Sequence, residues 1–282
     1  MAKLILYRPL TPGLRHAGVI RLDKKTVKTP KSLLSHKKSN AGRNNQGKIT
    51  VRHQGSGVKN LYREIDFRRT QFDVPAKVVQ IEYDPNRSAH IALLSYVNGV
   101  KSYIIAPDGL LVGQKIVSSL KAQPIILGNR LRLADIPSGQ LVHAIELVPG
   151  KGAKLVRAAG NAAVLMNVEG DYAQVKLPSG ETRLFPKDCM ATVGQVGNSE
   201  HRAMRFGKAG RKRKKGIRPS VRGKVMNPVD HPHGGGEGNQ PIGLRSPKNV
   251  WGKKAYGVKT RRPGKLSDKL IVERRKRKHL IG

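Results

Sequence analysis

The sequence predicts an all-β core of two consecutive small barrels, flanked by long, basic and irregular N- and C-terminal extensions. Short apolar runs separated by turn sequences recur between residues 71 and 198, whereas neither end shows sustained apolar periodicity. The charge divides in the same way. Residues 1–70 hold 17 basic and 3 acidic residues (net +14), residues 71–200 hold 13 and 11 (net +2), and residues 201–282 hold 25 and 4 (net +21). A near-neutral middle between basic ends indicates a folded core whose extensions lie on a polyanion.

The first barrel is expected over residues 71–125. Apolar and polar residues alternate partly along 76–83, which fits a half-buried strand. Asn98-Gly99 between two strand-like runs is a strong hairpin signal, and a Pro-Asp-Gly turn follows at 107–109. Because these segments follow one another too closely for helical crossovers, we expect a four-stranded meander. Its expected strands span residues 76–83, 91–97, 101–106 and 110–117.

The second barrel is expected over residues 126–198, and its strand-like pattern begins near Arg130. Turn sequences at 149–150, 169–171 and 178–180 separate the apolar runs. Short strands at this regular spacing favour a small barrel or sandwich, although the two sets of strands could also form one continuous sheet system. The expected strands span residues 141–147, 153–156, 162–166, 172–177, 182–185 and 191–196.

The two extensions are expected over residues 1–70 and 199–282. In the first, only short pieces such as 48–52 could form strands, and in the second a short helix is expected within 201–210. A long Gly- and Pro-containing stretch without apolar periodicity follows, up to residue 267. Aromatic residues make up only 4% of the chain, so the extensions lack the side chains to pack alone. We expect them to stay mobile until a partner neutralises them.

Composition excludes several classes of protein. A formal net charge of +37 and an isoelectric point near 10.9 are atypical of a soluble enzyme and imply a polyanionic partner. The single cysteine, Cys189, excludes an internal disulfide and a multi-cysteine zinc site. The first residues form too short an apolar run for a secretory signal, and no stretch approaches the ~20 apolar residues of a membrane span. We therefore expect a cytosolic protein with no membrane partner.

Two kinds of segment suggest nucleic-acid binding. Basic clusters occupy residues 211–215 and 274–278, and each cation that neutralises a phosphate releases counterions. The segments 42–48 and 52–57 mix cations, amides and glycines, which suit the exposed base edges and 2′-hydroxyls of RNA loops. The alternatives are a solvated charge run or localisation signal for the clusters, and a flexible linker for the glycine-containing segments.

The most unusual segment is 227–238, with the sequence NPVDHPHGGGEG. Its imidazoles and carboxylates suit zinc or a similar ion, and histidine also suits general acid–base catalysis. A metal site needs further ligands, and no phosphate-binding loop of the form G-x-x-x-x-G-K-[ST] accompanies the segment. On spacing alone, a rigid loop that glycine allows to thread between partner surfaces is the favoured interpretation.

Six segments in order along the chain carry a resemblance to one family. Together they resemble the large-subunit ribosomal protein L-two family in its bacterial or organellar form. The resemblance implies an OB-type RNA-binding barrel followed by an SH3-like barrel, in agreement with the two β units expected from the residues. The segments are 42–47 (GRNNQG), 62–69 (YREIDFRR), 81–89 (IEYDPNRSA), 155–160 (LVRAAG), 207–213 (GKAGRKR) and 226–238 (MNPVDHPHGGGEG).

The resemblance also implies a function without catalysis. It implies a structural constituent of the large ribosomal subunit, a primary rRNA-binding protein that supports subunit association, tRNA binding and the architecture of the peptidyl transferase centre. The implied partners are large-subunit rRNA, other ribosomal proteins and small-subunit rRNA at the subunit interface. No cofactor, metal or catalytic residue is expected. The expected location is the cytoplasm, in the ribosome, with an organellar stroma or matrix as the second choice.

The expected site has two parts. The first part binds rRNA, and the second is a loop near the peptidyl transferase centre, where His231 is expected to have a structural or positioning role. The expected rRNA-binding residues are Arg43, Asn44, Asn45, Lys48, Arg52, His53, Lys59, Arg63, Arg68, Arg69, Arg157, Lys208, Arg211, Lys212, Arg213, Arg218 and Arg222. The expected loop residues are Asp230, His231, His233, Gly234, Gly235, Gly236 and Glu237.

Two other functions fit part of the sequence. A metal-dependent RNA-processing enzyme could use Asp230, His231, His233 and Glu237, and it would hold metal and turn over RNA. A free nucleic-acid-condensing protein would bind duplex DNA as well as it binds rRNA. Selective, salt-sensitive binding to large-subunit rRNA distinguishes the ribosomal function from both.

Overall fold

The computed structural model describes residues 3–22, 28–236 and 241–275, and the structural statements below refer to these residues. The chain divides into two compact units, each of which is described by itself. The core unit takes its described residues from Met1–Lys38, Lys59–Lys208 and Leu266–Gly282. The basic unit takes its described residues from Ser39–Val58 and Ala209–Lys265.

The N-terminal part of the core unit forms two small antiparallel sheets. The first four strands are β1 (Lys3–Leu6), β2 (Gly18–Arg21), β3 (Leu34–His36) and β4 (Leu61–Arg63). β1 pairs with β2 and β3 pairs with β4, so this region is more regular than the sequence predicts. The predicted strand at 48–52 is wrong, because this stretch contributes only an isolated bridge between Arg43 and Ile49.

A four-stranded antiparallel sheet forms the first β unit. Its strands are β5 (Ala76–Glu82), β6 (Ile91–Tyr96), β7 (Lys101–Ile105) and β8 (Lys115–Ile116). The predicted hairpin at Asn98-Gly99 is confirmed, since β6 and β7 pair across it. The predicted meander is wrong in its last step, because β8 pairs with β5 and the strand order is β7-β6-β5-β8. The chain therefore returns to the first strand and curls the sheet over an apolar cluster that includes Val78, Leu94 and Ile116.

The second β unit contains a seven-stranded antiparallel sheet and a two-stranded one. Its strands are β9 (Arg130–Arg132), β10 (Leu141–His143), β11 (Ile145–Glu146), β12 (Ala153–Leu155), β13 (Ala163–Glu169), β14 (Tyr172–Lys176), β15 (Thr182–Pro186), β16 (Met190–Val193) and β17 (Ile271–Glu273). The larger sheet has the order β17-β15-β14-β13-β10-β16-β9, and β11 pairs with β12. Leu131, Val142, Leu165, Val175 and Phe185 are fully or almost fully buried in its core.

The C-terminal extension, which was expected to be irregular, contributes a strand to the edge of the larger sheet. β17 pairs with β15, so the extension is not irregular throughout. The amide N–H of Leu184 also donates to the carbonyl of Leu270 over 2.8 Å. A three-residue strand in which only Ile271 is partly buried gives little apolar signal of its own, so its pairing with β15 determines its conformation.

A buried ion pair joins β9 to β11 in the second β unit, and its arginine also contacts the segment before the first β unit. Arg130 Nη2 lies 2.6 Å from Glu146 Oε1, and both side chains are almost fully buried. The Arg130 guanidinium also donates to the carbonyl of Arg68. Glu146 accepts further hydrogen bonds from the amides of Gly152 (2.9 Å) and Met190 (3.1 Å). This network pairs the two charges inside the core, although the buried Nε atom of Arg130 has no hydrogen-bond partner.

Helices are short throughout the described residues. The one α-helix, α1 (Ala209–Lys214), lies on the basic cluster and shares only residues 209 and 210 with the range 201–210, where a short helix was expected. None of the helices in the described ranges has the length and hydrophobicity to span a bilayer. The all-β class predicted from the sequence is confirmed. Short 3-10 turns occur at Lys31–Leu33, Leu133–Asp135, Ser199–Ala203, Gly223–Val225 and Leu266–Asp268.

Candidate nucleic-acid interface

Backbone hydrogen bonds in the basic unit join two segments that lie about 160 residues apart in the sequence. The amide of Gly55 donates to the carbonyl of Gly216 over 2.6 Å, and the amide of Val58 donates to the carbonyl of Lys214 over 2.9 Å. An isolated bridge between Gln54 and Ile217 extends the contact. The glycine-containing segment 52–57 therefore lies along the basic cluster 211–215.

Gly216 is required for this close approach. Its φ is +85°, in the left-handed region that L-residues with a side chain rarely adopt. A Cβ at this position would lie 2.8 Å from the carbonyl oxygen of Gly55. The glycines of this segment therefore bring protein backbone to protein backbone, whereas the sequence suggested that they let RNA approach.

The loop 42–50 is fixed by one of its own side chains. Asn44 Oδ1 accepts from the amides of Gln46 (3.0 Å) and Lys48 (2.9 Å), and the Asn44 amide donates to the carbonyl of Lys48. This arrangement closes a turn and leaves Arg43 and Asn45 exposed on it. The Asn44 side-chain oxygen is already used as an acceptor, so its amide N–H₂ group is the part left to contact a partner.

The expected rRNA-binding residues fall in both units. Most are exposed, three are partly buried (Arg63, Arg211 and Arg218), and Arg69 is buried. The basic unit brings together Arg43, Asn44, Asn45, Lys48, Arg52, His53, Arg211, Lys212, Arg213, Arg218 and Arg222, and the core unit holds Lys59, Arg63, Arg68, Arg69, Arg157 and Lys208.

Arg69 does not have the surface position that a phosphate contact requires. It is 4% exposed, and its guanidinium donates to the carbonyls of Gly128 (2.9 Å) and Val117 (3.3 Å). Burial lowers the pKa of Arg69 to about 10. Arg69 is therefore a structural residue that ties the first β unit to the start of the second, and its neighbour Arg68 is the exposed member of the pair.

Arg157, another expected rRNA-binding residue of the core unit, stacks on an aromatic ring. Its guanidinium lies 4.7 Å from the centroid of the Phe67 ring, a cation–π distance. Because Arg157 remains exposed, the stacked guanidinium is held in place and can still contact a partner.

The basic unit contains more cations than the sequence analysis selected. The ranges 39–58 and 209–265 hold 19 basic and 2 acidic residues, a net charge of +17. The composition of 241–265 could have revealed this, since it has cations and no acidic residue. The same range carries the exposed aromatic side chains of Trp251 and Tyr256. Lys214 and Lys215 lie in the basic cluster 211–215 noted above, and the cations outside the expected site and this cluster are Lys224, Arg245, Lys248, Lys253, Lys254, Lys259, Arg261, Arg262 and Lys265.

The histidine loop is closed by hydrogen bonds to both imidazoles. His231 Nδ1 accepts from the amide of His233 over 3.0 Å, and His233 Nε2 accepts from the amide of Lys248 over 2.9 Å. The two rings meet edge to face with their centroids 4.8 Å apart. Each ring therefore uses its unprotonated nitrogen on the backbone, so neither offers a lone pair to a metal in this arrangement.

His231 is the buried member of this loop. It is 9% exposed, and its ring packs on Gly223, where a Cβ would lie 2.5 Å from Nδ1. Asp230 is exposed, and Glu237 lies outside the described residues. In the described part of the chain, no three His, Cys, Asp or Glu side chains are grouped as metal ligands. The amides of Gly234 and Gly235 close the loop on the carbonyls of His231 and Met226, and Gly236 follows.

Two titratable groups of the core unit have pKa values that burial shifts strongly. Burial lowers the pKa of His143 to about 4, although its ring N–H donates to the carbonyl of Gly194 over 2.7 Å. Burial raises the pKa of the Cys189 thiol to about 12, so this thiol stays protonated and unreactive at neutral pH. These groups belong to the packed interior.

Two family models match this chain in the order in which its two β units occur. Ribosomal Proteins L2, RNA binding N-terminal domain, matches residues 30–118. Ribosomal Proteins L2, C-terminal domain, matches residues 126–252. The chain belongs to the ribosomal L2 family. The resemblance found in the sequence is therefore confirmed, and the two β units are the OB-type and SH3-like barrels of this family.

Membership of the ribosomal L2 family defines the general function. The chain is a structural, RNA-binding protein of the large ribosomal subunit, and its partners are rRNA and other ribosomal components. The family is structural and is not a classical enzyme family. Its members are located in the ribosome, which lies in the cytoplasm or in an organelle.

Proposed function

We propose that the chain is a primary binder of large-subunit rRNA and that its basic unit is the main contact surface. The observation that carries this proposal is the set of backbone hydrogen bonds between 53–58 and 214–218, which places the glycine-containing segment 52–57 alongside the basic cluster 211–215. The basic unit has a net charge of +17, so on binding it would displace many of the counterions that are condensed on the RNA phosphates.

The phosphate contacts are assigned to cations of the basic unit, which are exposed except for the partly buried Arg211 and Arg218. Lys and Arg supply electrostatic affinity without sequence information, whereas amide groups reach bases and 2′-hydroxyls. Asn45 and the amide N–H₂ of Asn44 take this second role, together with His53. The phosphate-binding residues proposed here are Arg43, Lys48, Arg52, Arg211, Lys212, Arg213, Arg218 and Arg222.

A second contact surface is proposed on the core unit. Arg68 and Arg157 are exposed, and Arg157 is held by its stacking on Phe67. Lys59, Arg63 and Lys208 complete this surface. Arg69 is left out because its guanidinium is used inside the fold.

The histidine loop is proposed to support the architecture of the peptidyl transferase centre. The hydrogen bonds on both imidazoles favour a positioning role for His231 over acid–base or metal chemistry. Contacts with small-subunit rRNA, subunit association and tRNA binding are further parts of the proposal, and they rest on family membership. The cytoplasm is the proposed compartment.

A salt series of co-sedimentation with large-subunit rRNA tests the proposal. Six or more phosphate contacts should reduce the affinity by roughly 10³- to 10⁵-fold between about 50 and 200 mM salt. Each lost contact should make the slope of log K against log salt shallower by about 0.7 to 0.9. The variants Lys48→Ala and Arg213→Ala should each show this change, whereas the control Lys176→Ala, exposed on β14, should not.

Three results would contradict the proposal. If neither basic-unit variant changed the salt slope, the basic unit would not be the contact surface. Equal affinity for duplex DNA and rRNA would favour the nucleic-acid-condensing alternative. RNA turnover by purified protein containing stoichiometric metal would favour the metal-dependent enzyme.

A further inference from the structure

A tight turn at residues 247–255 of the basic unit has no part in the proposed phosphate surface. The amide of Ala255 donates to the carbonyl of Pro247 over 2.9 Å, and the amide of Asn249 donates to the carbonyl of Lys253 over 2.8 Å. Lys254 forms an isolated antiparallel bridge with Lys248. The two arms of the turn are therefore paired, and residues 250–252 form its tip.

The tip is fixed by the side chain of Asn249. Its Oδ1 accepts from the amides of Trp251 (3.0 Å) and Lys253 (2.9 Å), and its carbonyl accepts from the amide of Gly252 (3.0 Å). These bonds use the backbone of Trp251 and leave its indole out of the closure. The turn therefore holds Trp251 in place without needing the side chain for its own stability.

Trp251 is 78% exposed, although tryptophan has the largest apolar surface of any residue. Trp251 is the only tryptophan in the sequence. Exposed lysines follow it at 253 and 254. A rigid turn that presents a flat aromatic surface beside cations matches what single-stranded nucleic acid requires, namely a base-stacking face and phosphate contacts.

We propose that Trp251 stacks on an unpaired rRNA base and that Lys253 and Lys254 bind the adjoining phosphates. The ligand is an unpaired nucleotide because the bases of a continuous duplex already stack on one another and expose no face to the indole. The lysines favour a polyanion over an apolar protein pocket, since burial of their charges would oppose such docking. This inference rests on the proposed function, because it requires rRNA to reach the basic unit.

Tryptophan fluorescence reports on this site alone because the chain has one tryptophan. Emission and acrylamide quenching should be recorded with large-subunit rRNA and with a fully paired RNA duplex, while co-sedimentation measures binding in parallel. We expect rRNA to quench the emission and to protect the indole from acrylamide. When the same fraction of protein is bound to the duplex, we expect little quenching of the emission and little protection from acrylamide.

Variants separate stacking from charge. Trp251→Ala should weaken rRNA binding by roughly 5- to 150-fold with an unchanged salt slope, because stacking releases no counterions. Trp251→Phe should recover part of this loss. Lys253→Ala should instead make the salt slope shallower by about 0.7 to 0.9. The matched aromatic control is Tyr172→Ala, an exposed side chain on β14, which should bind like the wild type.

The outcomes distinguish this inference from the proposed function. If rRNA co-sediments with the protein while emission, acrylamide quenching and Trp251→Ala affinity are all unchanged, the stacking site is wrong and the rRNA-binding function stands. If no rRNA co-sediments at low salt, both are overturned. Protection by the duplex equal to that by rRNA would also overturn the assignment to an unpaired base.

Discussion

Replacing Glu146 with glutamine tests whether the buried ion pair holds the core unit together. The change is close to isosteric, so it alters charge and hydrogen bonding with little change in volume. Glu146 is fully buried and faces Arg130 at 2.6 Å, and it accepts from the backbone amides of Gly150, Gly152 and Met190. In Glu146→Gln, the Arg130 guanidinium keeps its charge in the interior with no counter-charge. One carboxylate oxygen is replaced by an N–H₂ group that faces donors.

The size of the effect follows from these two losses. Removing one partner of a buried ion pair costs about 3 to 5 kcal/mol, because the remaining charge is buried without compensation. A buried backbone donor left without an acceptor costs about 1 to 3 kcal/mol and is part of the same loss. We therefore expect the free energy of unfolding to fall by about 4 kcal/mol. This loss is a large part of the free energy of unfolding of a domain, which is roughly 5 to 15 kcal/mol.

Urea unfolding followed by far-ultraviolet circular dichroism measures this loss. The β signal arises mainly from the core unit, whereas Trp251 lies in the basic unit and would not report on the ion pair. The control is Asp171→Asn, which removes the carboxylate of a 3.0 Å pair with Lys187 where Asp171 is 85% exposed. Exposed pairs contribute about 0 to 1 kcal/mol. Equal losses in the two variants would refute the argument that burial gives the Glu146 pair its importance.

Two further perturbations test the core and the interface. His143 has a pKa lowered to about 4 by burial, against an ordinary value near 6.5. As pH falls from about 6.5 to about 4, the unfolded chain binds a proton at His143 that the folded chain does not, so the free energy of unfolding should fall by about 3 kcal/mol and then level off. Urea titrations across this pH range should show that His143→Asn lacks this loss. The same pH dependence of stability in the wild type and in His143→Asn would contradict the assignment. Gly216→Ala would place a Cβ 2.8 Å from the carbonyl oxygen of Gly55 at a residue whose φ is +85°. The clash and the backbone strain should separate 53–58 from 214–218 and weaken rRNA binding at least tenfold. Its control is Gly243→Ala, which has a φ of +62° with open space around the Cβ, and equal affinities of the two variants would refute the role of close approach.

Local features of the fold were predictable from the sequence because they depend on neighbouring residues. The alternation along 76–82 gives β5, and Asn98-Gly99 gives the hairpin between β6 and β7. Pairing between distant segments has no such local signal. The return of β8 to β5 and the addition of β17 to the edge of β15 depend on which edges remain open after the rest of the chain has folded. The predicted meander was therefore wrong, and the extension expected to be irregular contains one short strand, β17.

In the candidate interface, the sequence predicts which segments are basic, whereas the fold decides which of their side chains are available to RNA. Charge predicted the basic segments, but two adjacent arginines look alike in a sequence, and the fold buries Arg69 while Arg68 stays exposed. Asn44 similarly offers two polar groups, and the turn takes its oxygen. Which donor or acceptor remains for RNA depends on what the protein's own backbone has already used.

The physical difference between the two units explains why one chain needs both. All four apolar clusters lie in the core unit, whereas Gly42 and His231 are the buried residues among those described in the basic unit. Ordering each residue costs about 1 to 2 kcal/mol of backbone entropy, and apolar burial is the main force that offsets it. The basic unit has turns and backbone hydrogen bonds, each worth about 0.5 to 1.5 kcal/mol, and it carries a net charge of +17 that opposes its compaction. A polyanion would remove that repulsion and supply partners for the exposed cations, so we expect the order of the basic unit to depend on RNA more than the order of the barrels does.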